Sequence, residues 1–227
     1  MSEICDKTGW EGDIPLITIA LSKGRLFDES VRLLTDAGLD CSELEQPSRK
    51  LIFYTPDEQV RLVLVKPSDV PTYVEYGIAD AGIVGKDVLM EEGRSLYEML
   101  DLKYGRCRIV VAGFPEKRDT WITRAYTRVA TKYPNIAKSY FSSQDKTVEI
   151  IKLNGSVELG PLTGLSDVII DIVESGRTLK ENGLVVLDEI CPISARLVVN
   201  RISLKTKNTE IRSLINNIQR MLEEKKT

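Results

Sequence analysis

Short apolar runs rich in β-branched residues recur along the chain, at residues 14–21, 61–65, 79–84, 108–112, 129–131, 148–153, 168–173, 184–187 and 196–199. Their length and composition predict strands. The run VIIDIV at 168–173 is almost continuously apolar, as a strand covered on both faces requires. Helical spacing separates several of these runs. Phe27, Val31 and Leu34 recur at i, i+4 and i+7, Asp28 and Glu29 sit early, and Gly38 closes the segment. Shorter helices are predicted over 71–76 and 135–142, the first with Pro71 in its first turn and Ser68 or Asp69 near its cap. A last helix shows the stripe Ile211, Leu214, Ile215, Ile218 and Leu222, with Asn208 or Thr209 placed to cap it.

Strands alternating with helices predict an α/β architecture with mostly parallel sheets flanked by helices. The layout expected is two lobes around a cleft. Residues 1–13 are a polar tail, 14–110 and 197–227 form lobe one, and 111–196 form lobe two. The polar stretch 115–127, with Trp121 inside it, is a candidate boundary. The cleft then faces the strand ends, where open α/β sheets bind ligands.

Composition narrows the chemistry. The 227 residues carry 31 Lys and Arg against 34 Asp and Glu, a net charge of −3, which gives no reason to expect nucleic-acid binding. No apolar run is long enough to span a membrane, and the polar, acidic start has none of the features of a signal peptide, so a cytoplasmic protein is expected. Cys5, Cys41, Cys107 and Cys191 are widely spaced, which favours free thiols over disulfides and speaks against a zinc site. There is no histidine. Imidazole general bases, Ser-His or Cys-His pairs and His-ligated metals are excluded. Arg, Lys, carboxylates, hydroxyls and backbone dipoles must do any chemistry.

The run DIVESGRTL at 171–179 is the strongest candidate for such chemistry. A buried strand ends in Asp171 and Glu174, Gly176 allows a tight turn, and Ser175 or Thr178 caps a helix beginning near Leu179. Converging backbone N–H groups suit a phosphate, and two preceding carboxylates suit sugar hydroxyls. Phosphate and ribose at one loop is what phosphoribosyl pyrophosphate (PRPP) requires. Many strand-to-helix turns with Gly and Ser bind nothing, so the loop alone leaves both readings open. Lys23, Gly24 and Arg25 follow the first strand and open the first helix, as an anion site or a solvated basic turn. Arg49 and Lys50 form a second basic pair. The glycine-rich run at 77–87 is either a strand packed tightly against a neighbour or a wall for a flat base. Glu158 is a surface acid or a cleft residue.

Taken in order, the runs LSKGRL (21–26), SRKL (48–51), DVP (69–71), GIADAGIVGKD (77–87), RVATKY (128–133), NGSVE (154–158), DIVESGRTL (171–179) and ISARLVVN (193–200) resemble the ATP phosphoribosyltransferase family, the first enzyme of histidine biosynthesis. The resemblance runs from about residue 15 to the end. It departs at Gly160, where the family usually has Ala, at Ser175, where it often has Thr, and at Lys66, where Arg is common.

The resemblance implies a two-lobe fold of the type II periplasmic-binding-protein kind. It implies attack of adenine N1 of ATP on the PRPP ribose with loss of pyrophosphate. Magnesium is expected to be carried mainly by PRPP, with no metal-ligating set in the chain. PRPP is assigned to Asp171, Glu174, Ser175, Gly176, Arg177, Thr178 and Leu179, and ATP to Lys23, Gly24, Arg25, Arg49, Asp69, Gly85 and Glu158. Arg25 and Arg49, assisted by Lys23, are the expected catalytic cations. Ending after one helix, the chain resembles the family's short form, expected to form a homodimer and to work with a regulatory subunit similar to histidyl-tRNA synthetase. The competing readings are a two-lobe binding or sensing module and a phosphoribosyltransferase with another base acceptor.

Overall fold

In the computed structural model, residues 17–45, 48–123 and 126–224 are described; the expected tail at 1–13 lies outside them. Two sheets form two lobes. In lobe one, β1 (Ile17–Ser22), β2 (Ile52–Tyr54), β3 (Val60–Val65), β4 (Ala81–Gly85), β5 (Tyr97–Asp101) and β11 (Ala195–Val199) lie in the order β2-β3-β1-β4-β11-β5. In lobe two, β6 (Cys107–Gly113), β7 (Arg128–Thr131), β8 (Glu149–Lys152), β9 (Val168–Val173) and β10 (Val185–Ile193) lie in the order β10-β6-β9-β7-β8. Helices cover the faces: α1 (Phe27–Asp36), α2 (Val70–Glu75), α3 (Lys86–Glu92), α4 (Pro134–Ser142), α5 (Leu159–Leu162), α6 (Arg177–Glu181), α7 (Ser203–Thr206) and α8 (Asn208–Glu224). No described helix is long and apolar enough to cross a membrane.

The two-lobed α/β architecture matches expectation, but the sheets are mixed rather than mostly parallel. Among the described residues four strand pairings are parallel and five antiparallel. The antiparallel ones involve β2 and the four strands flanking the two crossings between lobes. A chain that leaves a sheet and returns to it supplies strands running against the βα units. The crossings lie at 102–106 and at Ser194, because β6 and β10 belong wholly to the second sheet. The stretch 115–127 is not a boundary between lobes: Trp121 is buried in the lobe-two core, edge-on to Phe141.

The core of lobe one lies between β1, every residue of which is buried, and the apolar faces of α1 and α8. Val31, Leu33 and Leu34 of α1 meet Ile211, Leu214, Ile215 and Ile218 of α8 there. Buried Asp80 ties the last helices to the sheet by accepting from Thr18 N (2.8 Å), Ser203 Oγ (2.6 Å) and Lys207 Nζ (2.9 Å). On the other face, a Cβ at Gly82 would lie 2.8 Å from Val70 Cγ1 and 2.9 Å from Val74 Cγ2. Glycine there lets α2 pack directly on β4, as the close-packing reading of the 77–87 run expects.

Candidate functional site

Strand direction gathers the candidate residues. Because β1, β3 and β4 run parallel, the segments that follow them share one edge of lobe one. These segments are 23–26, 66–69 and the start of α3. Because β2 runs antiparallel to β3, its beginning reaches the same edge, and Leu64 N donates to Leu51 O at 2.8 Å just beyond Arg49. In lobe two, β7, β8 and β9 are parallel, so the segments beginning at 132, 153 and 174 share the facing edge.

A cavity of about 270 Å³ opens between the edges. It is lined by Arg25 from lobe one, by Cys107 at the head of β6, by Glu158, and by residues 171–179 without a gap. The 171–179 turn is built by Gly176 at φ +75°, a left-handed conformation that glycine adopts without a Cβ penalty. Helix α6 starts at Arg177 rather than near Leu179. Gly176 is its N-cap, and neither Ser175 nor Thr178 makes a capping bond of the expected kind. Ser175 Oγ accepts only a 3.4 Å contact from Arg177 N, and both hydroxyl side chains are exposed at the cavity. First-turn amides have no carbonyl partner within their own helix. With five residues in α6, local amides and hydroxyls matter more here than a macrodipole. Arg177 turns outward to pair with Glu181 at 3.2 Å.

Arg25 is the residue from lobe one that reaches this turn. Its Nη1 lies 2.8 Å from Cys107 Sγ, 3.4 Å from Gly105 O and 3.9 Å from Glu174 Oε2. Burial raises the Cys107 thiol pKa, partly offset by Arg25, so a neutral sulfur faces the guanidinium. Asp171 is pushed up to about 6, first by burial, then by the Glu158 and Asp87 charges, against the Ile172 N–H bond (2.8 Å) and Lys132. The cavity is therefore acid-rich on lobe two and cation-tipped on lobe one.

The remaining candidates share the edge without lining the cavity. Lys23 and Gly24 precede Arg25 and are exposed, with Gly24 at φ +104°. Arg49 is exposed at the head of β2, and exposed Asp69 accepts from Ser68 Oγ at 3.1 Å. Gly85 is buried at the end of β4, where a Cβ would lie 2.2 Å from Asp87 Oδ1. Sequence reasoning did not single out Cys107, Lys132, Tyr133 or Asp87 as site residues. Buried Tyr133 donates to Asp87 Oδ2 at 3.0 Å across the two lobes. Both residues fall within matched runs, at 128–133 and 77–87, which is where a signal existed. Among the described residues no group of three His, Cys, Asp or Glu side chains is arranged to hold a metal.

The profile of the family described as ATP phosphoribosyltransferase matches residues 66–220. ATP phosphoribosyltransferase of Lachnoclostridium phytofermentans is 55% identical over 210 residues, covering 92% of this chain and 98% of the relative. The chain belongs to the ATP phosphoribosyltransferase family. It carries the family's activity on PRPP and ATP, the first step of histidine biosynthesis.

A solved ATP phosphoribosyl transferase (HisG:HisZ) complex from Thermotoga maritima superposes with a TM-score of 0.79 at 37% identity, covering 92% of this chain and 99% of that one. The periplasmic VFT2 domain of Bordetella pertussis BvgS, at 14% identity and a TM-score of 0.56 over 89% of this chain and 86% of that one, shares the fold alone. The departure from the ATP phosphoribosyltransferase pattern at Gly160 has a local explanation. A Cβ there would lie 2.4 Å from Ser166 Oγ and 2.9 Å from Ala130 Cβ, so Ser166 occupies the space an alanine methyl would need.

Proposed function

We propose that the 171–179 turn holds PRPP and that Arg25 receives the departing pyrophosphate. One observation carries this reading: Arg25 of lobe one and the whole turn of lobe two line one cavity. In this reading the turn amides and the Ser175 and Thr178 hydroxyls take the 5′-phosphate, and Asp171 and Glu174 accept from the ribose hydroxyls. A phosphate oxygen then displaces the weak Cys107 and Glu174 contacts of Arg25, because a guanidinium grips such oxygens through a charge-assisted fork. ATP lies along the lobe-one edge that carries Lys23, Gly24, Arg49, Asp69 and Gly85, its adenine directed toward Glu158 and the ribose.

The nucleophile is a ring nitrogen that already has its lone pair, so no general base is required. The chain's task is to align two substrates and to offset charge moving onto the leaving group. Magnesium, when it arrives with PRPP, supplies further positive charge to the pyrophosphate. The Thermotoga maritima relative is a HisG:HisZ complex, and this supports assembly of the chain with a second, regulatory subunit.

Incubation with ATP, PRPP and magnesium should produce the ultraviolet change of adenine alkylation, with none when GTP replaces ATP. The Ser175→Ala/Thr178→Ala double variant should keep its fold and lose PRPP affinity, at roughly 1.5–3 kcal/mol for each charge-assisted hydrogen bond. Unchanged affinity by calorimetry would remove PRPP from the turn.

A further inference from the structure

Helix α4 begins without a cap of its own. Tyr133, at its N-cap, makes no side-chain capping bond, and Pro134 at the first helical position has no N–H. The exposed first-turn donors are met from the other lobe. The Glu91 carboxylate, near the end of α3, accepts from Asn135 N at 3.1 and 3.0 Å through its two oxygens and from Ile136 N at 3.1 Å. Asn135 Nδ2 returns a bond to Glu91 O at 2.9 Å. One turn earlier on the same face of α3, Asp87 Oδ2 accepts from the Tyr133 hydroxyl at 3.0 Å, between two buried side chains. A carboxylate that caps a helix start is held by charge and by two amides at once.

Both ends of this contact are anchored to the cavity. Helix α3 grows directly from β4, whose neighbour β1 leads into Arg25. On the other side, Tyr133 N donates to Thr131 Oγ1 at 2.8 Å, and Thr131 Oγ1 donates to Ile170 O at 2.7 Å, one residue before Asp171. The lobes are also joined by the two chain crossings, by the Arg25 contacts to Cys107 and Glu174, and by Cys191 Sγ lying 4.0 Å from Met90 Sδ. Two crossings define an axis, and a third contact away from it fixes the rotation about that axis.

We propose that Glu91, with Asp87, fixes the closure of the lobes at the angle the transfer requires, making Glu91 a positioning residue that touches neither substrate. Alignment is the main task of this site, and a misplacement of about 1 Å can cost about 10²-fold in rate. Loss of Glu91 therefore affects the step that needs both lobes and spares ligand binding confined to one.

The test is Glu91→Ala beside Glu91→Gln and Tyr133→Phe, with thermal unfolding to confirm that each variant folds. The expected result for Glu91→Ala is a kcat lowered about tenfold or more, partly restored in Glu91→Gln. The amides of residues 135 and 136 should lose exchange protection, and X-ray scattering should show a larger radius of gyration. Calorimetric PRPP affinity should fall less than kcat, because the 171–179 turn that holds the 5′-phosphate and ribose lies within one lobe and only Arg25 meets the ligand from the other; that one expectation rests on placing PRPP at the turn, whereas exchange and scattering do not. Wild-type kcat in Glu91→Ala overturns the proposal. So does a lowered kcat with amide protection and radius both unchanged, since the rate would then fall without any opening of the lobes.

Discussion

Asp171→Asn should stabilise the unliganded protein and weaken PRPP binding, both for the same reason. The carboxyl of Asp171 is moved from the ordinary 3.8 to about 6, chiefly by burial. At about 1.4 kcal/mol per tenfold change in proton affinity this corresponds to roughly 3 kcal/mol, and partial solvent contact brings it to about 1.5–3 kcal/mol. The folded protein holds this proton more tightly than the unfolded chain. The penalty is therefore absent below pH about 4, grows as pH rises, and is complete above about 6. Asparagine keeps an oxygen for the Ile172 N–H and removes the charge. The variant should melt roughly 3–12 °C above wild type at pH 8, and the gain should shrink by about half at pH 5. In the same variant PRPP should bind about 10- to 150-fold more weakly, the effect of losing one bond to a charged group. Melting curves at pH 5, 6.5 and 8, paired with PRPP calorimetry at pH 8, measure both quantities. PRPP phosphate titrates near pH 6 as well, so the pH dependence must be read as the difference between wild type and variant. A melting difference independent of pH would refute the burial argument, and unchanged PRPP affinity would refute the ribose assignment.

Arg25→Ala should lower kcat by about 10²–10³-fold, the usual loss for one transition-state donor, and Arg49→Ala should lower it less, because Arg49 shares the edge but not the cavity; equal steady-state losses would place both guanidiniums on the reacting groups. Gly160→Ala should cost about 1–3 kcal/mol in denaturant unfolding through overpacking. Ser166→Ala should recover part of that loss, since it removes the buried, unpartnered Ser166 Oγ but leaves Ala130 Cβ 2.9 Å from the new methyl. The isolated chain should turn over slowly and ignore histidine, while addition of the synthetase-like partner should raise the rate and confer histidine inhibition; strong inhibition of the chain alone would contradict control by a separate subunit.

The elements visible in the sequence are those whose burial repeats regularly. VIIDIV at β9 is apolar on both faces, and the stripes of α1 and α8 keep helical spacing over several turns. Strands β2 and β5 went unread because both are sheet edges with half-exposed residues, so neither alternates cleanly. Seven-residue α3 is too short for its periodicity to register. Strand direction was the larger gap. Nothing in ARLVV shows that β11 runs against β4, because direction follows from where the chain re-enters the sheet. The site was legible in the same uneven way. The 171–179 turn is a local sequence feature and could be read as one. The Cys107 contact to Arg25 and the Tyr133 bond to Asp87 join residues 82 and 46 positions apart, and local pattern carries no trace of either.

The absence of histidine from all 227 residues is consistent with this chemistry. Enzymes place imidazole where a proton must move near neutral pH. Here the attacking nitrogen brings its own electron pair and the leaving group departs as an anion, so the barrier is one of alignment and charge. In the reading proposed above, arginine, a turn of amides and a closure angle address that barrier without a proton carrier. The carboxylate raised to about 6 serves the same end. Burial disfavours its ionised form, and hydroxyl donors from the proposed ribose would stabilise the carboxylate.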